Sequence, residues 1–91
     1  MVPAFEYDPA KSAANKAKHG IDFEEAKALR LDKRLLEAAA RTTDEPRWLV
    51  IGLLAGKHWT AVFTRRGGTI RLISARRARD EEIAIYESTD L

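Results

Sequence analysis

The chain has 91 residues, of which 45% are hydrophobic and 33% charged, a composition that fits one small globular domain over residues 1–91. Its formal net charge is only +2, so total charge does not by itself indicate a nucleic-acid partner. The chain has no cysteine, which excludes disulfide scaffolds and thiol nucleophiles, and its two histidines are far apart in sequence. We therefore expect no metal site and no cofactor.

The N-terminus shows no signal-peptide pattern, and the longest apolar run, Trp48 to Ala55, is too short to cross a membrane. We therefore expect a cytoplasmic protein.

The first predicted elements are a short strand and a helix. Phe5 to Tyr7 has strand-like alternation. A helix follows at Asp8 and Pro9, because aspartate caps free backbone N–H groups and proline fits the first helical position. Gly20 is the expected C-terminal cap. Small residues at helical spacing form its expected packing face: Ala10, Ala13, Ala14 and Ala17.

A second short helix is predicted directly after Gly20. Asp22 and Glu25 have the spacing of a capping box. The buried side of this helix is expected to consist of Phe23, Ala26 and Leu29. The next segment, Leu35 to Ala40, favours a helix by intrinsic propensity, and Thr42 to Pro46 has the composition of a polar turn.

The C-terminal half predicts three strands and a helix. Strands are expected from Arg47 and on both sides of the Gly67-Gly68 hairpin turn, with Ala55 to Lys57 as the first turn. Gly52 indicates a bulge or a close backbone approach. The last helix begins with the acidic residues at Asp80. Trp48 and Trp59 are expected to be largely buried. The whole pattern predicts an α+β fold with an antiparallel sheet.

The segment from Arg65 to Arg79 carries six arginines and no acidic residue. Arginine suits phosphate because its planar fork donates two parallel hydrogen bonds. The alternative is that these arginines stay solvated or pair with the acidic residues that follow them. The six are Arg65, Arg66, Arg71, Arg76, Arg77 and Arg79.

The Lys18-His19-Gly20 sequence has two readings. In the first, Lys18 or His19 contacts a phosphate or transfers a proton. In the second, the two basic residues only complement the C-terminal end of the helix dipole.

These segments together resemble the BrnT toxin family over nearly the whole chain. Tyr7 stands where the family usually has tryptophan. The resemblance rests on Phe5-Glu6-Tyr7-Asp8, Lys11, Asn15, Lys18-His19-Gly20, Phe23 and Ala26, on Arg47 with Ile51-Gly52, and on Val62-Phe63-Thr64, Ile70 to Ala78, Glu82 and Tyr86.

The resemblance implies a RelE-like ribonuclease fold in which Leu35 to Ala40 is a strand. It also implies a toxin of a type II toxin–antitoxin system that cleaves RNA and arrests growth. A BrnA-type antitoxin with a ribbon-helix-helix DNA-binding part is then expected to neutralise the toxin, and the complex to bind operator DNA and repress its own operon.

For RNA cleavage without a metal, the catalytic candidates are Arg71, Arg76, Arg77 and His19. Arginines are expected to stabilise the negative charge that develops on phosphoryl oxygens, and His19 to transfer protons. The RNA-binding candidates are Lys18, Arg65, Arg66 and Arg79. Two alternatives remain: a module that binds RNA or DNA through the same basic surface without cutting it, and a partner whose arginines only hold an acidic antitoxin segment.

Overall fold

The computed structural model describes residues 4–40 and 45–88. Its three α-helices are α1 (Pro9–His19), α2 (Phe23–Ala26), which continues into a 3₁₀ turn over Lys27–Leu31, and α3 (Asp80–Ser88). Its five strands are β1 (Ala4–Glu6), β2 (Leu36–Ala40), β3 (Arg47–Leu54), β4 (Lys57–Arg66) and β5 (Thr69–Arg77). No helix within the described residues is long and apolar enough to span a membrane.

The strands form one sheet in the order β1-β5-β4-β3-β2. Strands β2 to β5 pair antiparallel, as the sequence predicted, whereas β1 pairs parallel to β5, with Phe5 opposite Ile70. The sheet is therefore mixed. Two helices and three strands separate β1 from its neighbour β5 in the chain. Helices and a largely antiparallel sheet together give the α+β class that the sequence predicted.

Segment Leu36–Ala40 is a strand, as the family resemblance implied, although its composition favours a helix. Its five residues pair with β3, from Leu36 opposite Ile51 to Ala40 opposite Arg47. Pairing with an existing strand thus outweighs propensity here. Most of the predicted turn at Thr42–Pro46 lies outside the described residues.

Helix α1 has the predicted bounds but not the predicted packing face. Asp8 caps its start and Gly20, at φ 83°, ends it. The buried residues are the polar Ser12 and Asn15, whereas the alanines expected to pack are exposed. Ser12 accepts a hydrogen bond from the Phe23 backbone N–H at 2.9 Å. The prediction was wrong because α1 joins its neighbours through hydrogen bonds rather than through close contact of small side chains.

Two irregularities shape the sheet. The register between β4 and β5 shifts between Val62 and Phe63, which leaves Ile73 as an extra residue in β5. This bulge accounts for the broken alternation of the Ile70–Ile73 segment. At Gly52 an added Cβ would lie 2.8 Å from Leu35 Cδ1 and 3.3 Å from Asp32 Oδ2, so this glycine permits the close approach that the sequence indicated.

The core lies between the sheet and the first two helices. The residues predicted for the buried side of α2 are all buried there, with Phe23 1% exposed. Trp59 is buried, as predicted, whereas Trp48 is only half-buried and stacks on Phe63 with ring centroids 6.1 Å apart. The remaining core residues include Ile21, Val50, Ala61, Leu72 and Ala75.

Candidate active site

The sheet has two chemically different faces. Because side chains alternate along a strand, Trp59, Ala61 and Phe63 point to one side and His58 and Thr60 to the other. The first side packs against α1 and α2 and is called the helix face. The second side is partly covered by the C-terminal helix and is called the α3 face, since the Thr60 hydroxyl donates a hydrogen bond to Glu82 of that helix.

Arg76 and Glu82 form the most buried ion pair within the described residues. Arg76 lies opposite Thr60 on the α3 face. Its Nη1 and Nη2 donate to the two Glu82 carboxylate oxygens at 2.8 and 2.9 Å, and the side chains are only 23% and 12% exposed. The Arg76 hydrogen bonds lower the pKa of Glu82 to about 2, although burial acts in the opposite direction. The guanidinium is therefore fixed in place and charged.

His58 and Glu87 form a second pair on the α3 face. His58 Nε2 lies 2.7 Å from Glu87 Oε2, and the His58 side chain is 22% exposed. The imidazole also packs edge-on against the Tyr86 ring, with centroids 5.4 Å apart. A carboxylate that holds one ring nitrogen orients the other nitrogen for proton transfer.

His58 and Arg76 are close neighbours in the sheet. Thr60 stands directly opposite Arg76, and His58 is two residues from Thr60 on the same side of β4. Such a diagonal pair has Cα atoms about 7–8 Å apart, within reach of long side chains. The fold thus places an imidazole beside a fixed cation.

Asp32 attaches α3 to the rest of the domain. Its carboxylate accepts hydrogen bonds from the Tyr86 hydroxyl at 2.5 Å and from the backbone N–H groups of Leu53 and Arg34, each at 2.9 Å. Burial raises the pKa of Asp32, but these three donors outweigh it and hold the pKa below its usual value. Burial and the bond to Asp32 raise the pKa of Tyr86 to about 12. The link fixes α3, and with it Glu82 and Glu87, over the sheet.

The family model that describes BrnT, a ribonuclease toxin of a type II toxin–antitoxin system, matches residues 7–82. The chain belongs to the BrnT family. Membership in this family gives it an antitoxin as partner and RNA as substrate. No curated protein sequence matches the chain.

In this BrnT-family chain, the four catalytic candidates do not come together. Arg71 and Arg76 lie on the α3 face, opposite Thr64 and Thr60, whereas Arg77 lies opposite Trp59 on the helix face. His19 ends α1, on the helix side of the sheet. Arg71 Nη1 donates to Glu6 at 3.0 Å, and the Arg77 guanidinium carbon stands 5.4 Å from the Trp59 ring centroid.

The RNA-binding candidates occupy three separate places. Arg65 and Arg66 are at the hairpin end of β4, where they pair with Glu37 at 2.9 Å and Glu45 at 3.5 Å. Lys18 is exposed in the last turn of α1. Arg79 is exposed before α3, and its backbone N–H donates to Glu82 at 2.8 Å. The sequence also allowed the arginines to pair with the acidic residues that follow them, Asp80 to Glu82. Among the ion pairs of the described residues, only Arg76 does so, with Glu82.

Sequence reasoning missed His58, Glu82 and Glu87 as candidate site residues. The acidic residues after Arg79 were interpreted only as groups that favour the start of a helix. Alternation along β4 was a usable signal, because it places His58 and Thr60 on one side of the strand. The position of Arg76 opposite Thr60 could not be predicted in the same way, because it depends on the bulge in β5. Within residues 4–40 and 45–88 no group of three or more histidine, aspartate or glutamate side chains is placed to hold a metal ion.

Proposed function

We propose that this chain cleaves RNA by transesterification, without a metal. The RNA 2′-hydroxyl loses its proton to a base and its oxygen bonds to the adjacent phosphorus. The bond from phosphorus to the 5′-oxygen breaks, and that oxygen takes up a proton. The products are a 2′,3′-cyclic phosphate and a 5′-hydroxyl, so the reaction needs only a proton-transfer group and cations facing the phosphoryl oxygens.

The observation that carries this proposal is the placement of His58 and Arg76 as diagonal neighbours on the α3 face. His58 is held by Glu87 at 2.7 Å, which leaves its Nδ1 to exchange a proton with the reacting oxygens. Arg76 is held by Glu82, and its hydrogen bonds within the described residues occupy only part of its five N–H donors. We assign proton transfer to His58, charge stabilisation to Arg76 and a positioning role to Glu87 and Glu82.

Arg71 is a second cation on the same face, about 13 Å along the strand from Arg76, and is assigned to a phosphate farther along the RNA. Arg77 and His19, which lie on the helix side, are assigned to RNA binding with Lys18 rather than to the chemical step. Arg65, Arg66 and Arg79 contribute general positive charge, which attracts a polyanion without fixing its geometry.

Growth arrest, a BrnA-type ribbon-helix-helix antitoxin and joint repression of the operon complete the proposal, with a RelE-like fold and a cytoplasmic site of action. Expression of the chain alone is expected to stop bacterial growth, and co-expression of the neighbouring ribbon-helix-helix protein to restore it. Normal growth at confirmed expression would count against the toxin assignment for this chain.

The chemistry is tested with the purified chain and a short RNA that has a single 2′-hydroxyl in an otherwise 2′-deoxy strand. We expect cleavage at that nucleotide, a 2′,3′-cyclic phosphate end and full activity in EDTA. An all-deoxy strand should stay intact. Binding without cleavage would instead support the non-catalytic module, and loss of cleavage in EDTA would overturn the metal-independent route.

Variants then test the residue roles. Arg76→Lys keeps the charge but loses the planar fork, and we expect about 10²-fold slower cleavage. His58→Gln should slow cleavage by about 10²-fold, because glutamine cannot transfer a proton in place of the imidazole. Glu87→Gln leaves the imidazole present and should slow cleavage less than His58→Gln does. Arg47→Lys, an exposed arginine at the start of β3, is the control and should cleave normally.

A further inference from the structure

A cavity lies on the helix face, on the opposite side of the sheet from the His58 and Arg76 side chains. Its volume is about 470 Å³, within the range of small-ligand pockets. Residues from the end of α1, from the 3₁₀ turn and from the β3–β4 hairpin line it, including Gly20, Ile21, Ala28, Leu54, Lys57 and Trp59. Most of the lining residues are apolar, and one of them is Trp59, which contributes its indole ring.

The cations beside this cavity lack the partners that neutralise the rest of the arginine-rich hairpin. Arg65, Arg66, Arg71 and Arg76 each pair with a glutamate. Lys57 lines the cavity, and the Arg77 guanidinium stacks on Trp59, which forms part of the wall. Over residues 4–40 and 45–88, neither Lys57 nor Arg77 makes an ion pair.

The acidic residue in the cavity wall does not cancel this charge. Glu25 lines the cavity, but its carboxylate pairs with Lys16 at 2.8 Å and accepts the Asp22 backbone N–H. The surroundings of the cavity therefore carry net positive charge, which favours an anionic ligand.

The end of α1 adds to the same surface. Gly20 has φ 83°, and nothing lies within 4 Å of the position that a Cβ would occupy. The two residues before it are Lys18, which is exposed, and His19, which is half-buried. Of the Lys18-His19-Gly20 sequence, Gly20 lines the cavity, and the two basic residues precede it directly in the chain.

We propose that this cavity is a subsite for one unpaired nucleotide of the RNA substrate. The base occupies the apolar space beside Trp59, and the adjoining phosphate contacts Lys57 and Arg77. A nucleotide fits this surface because its flat base has apolar faces that suit the apolar walls, and its phosphate is an anion that suits the two cations beside them. The proposal rests on the proposed function, since it takes RNA as the substrate.

Binding is tested with a fluorescent single-stranded RNA that is 2′-O-methylated throughout and therefore binds without being cleaved. Ala28→Phe fills the cavity and Lys57→Ala removes an exposed cation from its rim. We expect each variant to weaken binding about tenfold or more by fluorescence anisotropy. Lys57→Ala should also reduce the slope of log affinity against log salt by about 0.7, the value for one phosphate contact on a single strand. In a Trp48→Phe background, RNA should change the emission of Trp59.

Arg47→Ala is the matched control, because it also removes one exposed positive charge. Arg47 is at the other end of β3 from Leu54, which pairs with Lys57, so about 23 Å of strand separate the two positions. This variant should bind RNA as the unmodified chain does.

Unchanged RNA affinity in both Ala28→Phe and Lys57→Ala, with folding intact by circular dichroism, overturns the subsite. Loss of antitoxin binding in these variants without loss of RNA binding also overturns it and makes the cavity an antitoxin contact. The proposed function fails separately: RNA binding that depends on the cavity in a chain that never cleaves RNA supports the subsite and refutes catalysis.

Discussion

The two faces of the sheet are held by different kinds of contact. On the helix face, apolar side chains such as Phe23 and Phe63 pack around a neutral amide, Asn15, which bonds to the backbone of Ala75 and Ile21. On the α3 face, the C-terminal helix is held by ionisable groups, chiefly the Arg76–Glu82 pair and the bond from Tyr86 to Asp32.

This difference separates stability from chemistry. Apolar burial and neutral hydrogen bonds involve no group that titrates, whereas an ion pair is lost when one of its partners is neutralised. The face that depends on charge also presents His58, to which we assign proton transfer, and the fixed Arg76. The helix face is therefore expected to set the stability of the domain, and the α3 face its pH dependence and reactivity.

The largest effect on the free energy of unfolding is expected from Asn15→Leu. Its side chain donates to the carbonyls of Ile21 and Ala75, both at 2.8 Å, and accepts the Ala75 N–H at 3.3 Å. Leucine leaves these buried backbone groups without partners, at a cost of about 3–4 kcal/mol. Urea unfolding should show the same loss at pH 4 and pH 7. A loss under 1 kcal/mol would mean that α1 is not held by this amide; Ala14→Ser, at an exposed position, is the control.

Glu82→Gln is expected to destabilise by about 2–3 kcal/mol at pH 7, because it leaves Arg76 without its carboxylate. The pKa of Glu82 is about 2 in the folded protein, below the ordinary 4.5. Its contribution is thus complete above pH 4.5 and is lost as pH falls toward 2. Stability of the unmodified chain should decline across that window, and that of the variant should decline less. Parallel pH curves for the two proteins would contradict this assignment.

Tyr86→Phe should cost about 1.5 kcal/mol, since it removes a hydrogen bond to a charged carboxylate but keeps the ring in place. The loosened α3 should also increase hydrogen exchange in that helix more than in α1. Equal exchange in both helices would show that the Asp32 link does not hold α3 separately from the rest.

The smallest effect is expected from Glu37→Gln, the same chemical change as in Glu82 but on an exposed pair. Glu37 and Arg65 are 45% and 40% exposed, so solvent screens their attraction. Thermal unfolding should show a change below about 0.5 kcal/mol at any salt concentration. A cost close to that of Glu82→Gln would remove the distinction between buried and exposed pairs on which the comparison rests.

Local signals in the sequence determined most of the elements. Asp8 and Gly20 mark the two ends of α1 because capping depends on residues that are adjacent in the chain. The Gly67-Gly68 turn and the strands around it formed as predicted, and so did the buried side of α2. The family resemblance supplied the one strand that propensity assigned wrongly.

Tertiary structure alone decided which side chains meet. The bulge at Ile73 sets which arginines of β5 share a face, and no local pattern reports a register shift against a partner strand. Packing of α1 buried Asn15 and exposed its alanines, because the available partners were backbone groups of Ile21 and Ala75. Likewise, Glu82 and Glu87 reach Arg76 and His58 only because α3 lies across the sheet. The sequence determined which ionisable side chains are available, and the long-range pairing of strands and helix determined which of them lie together.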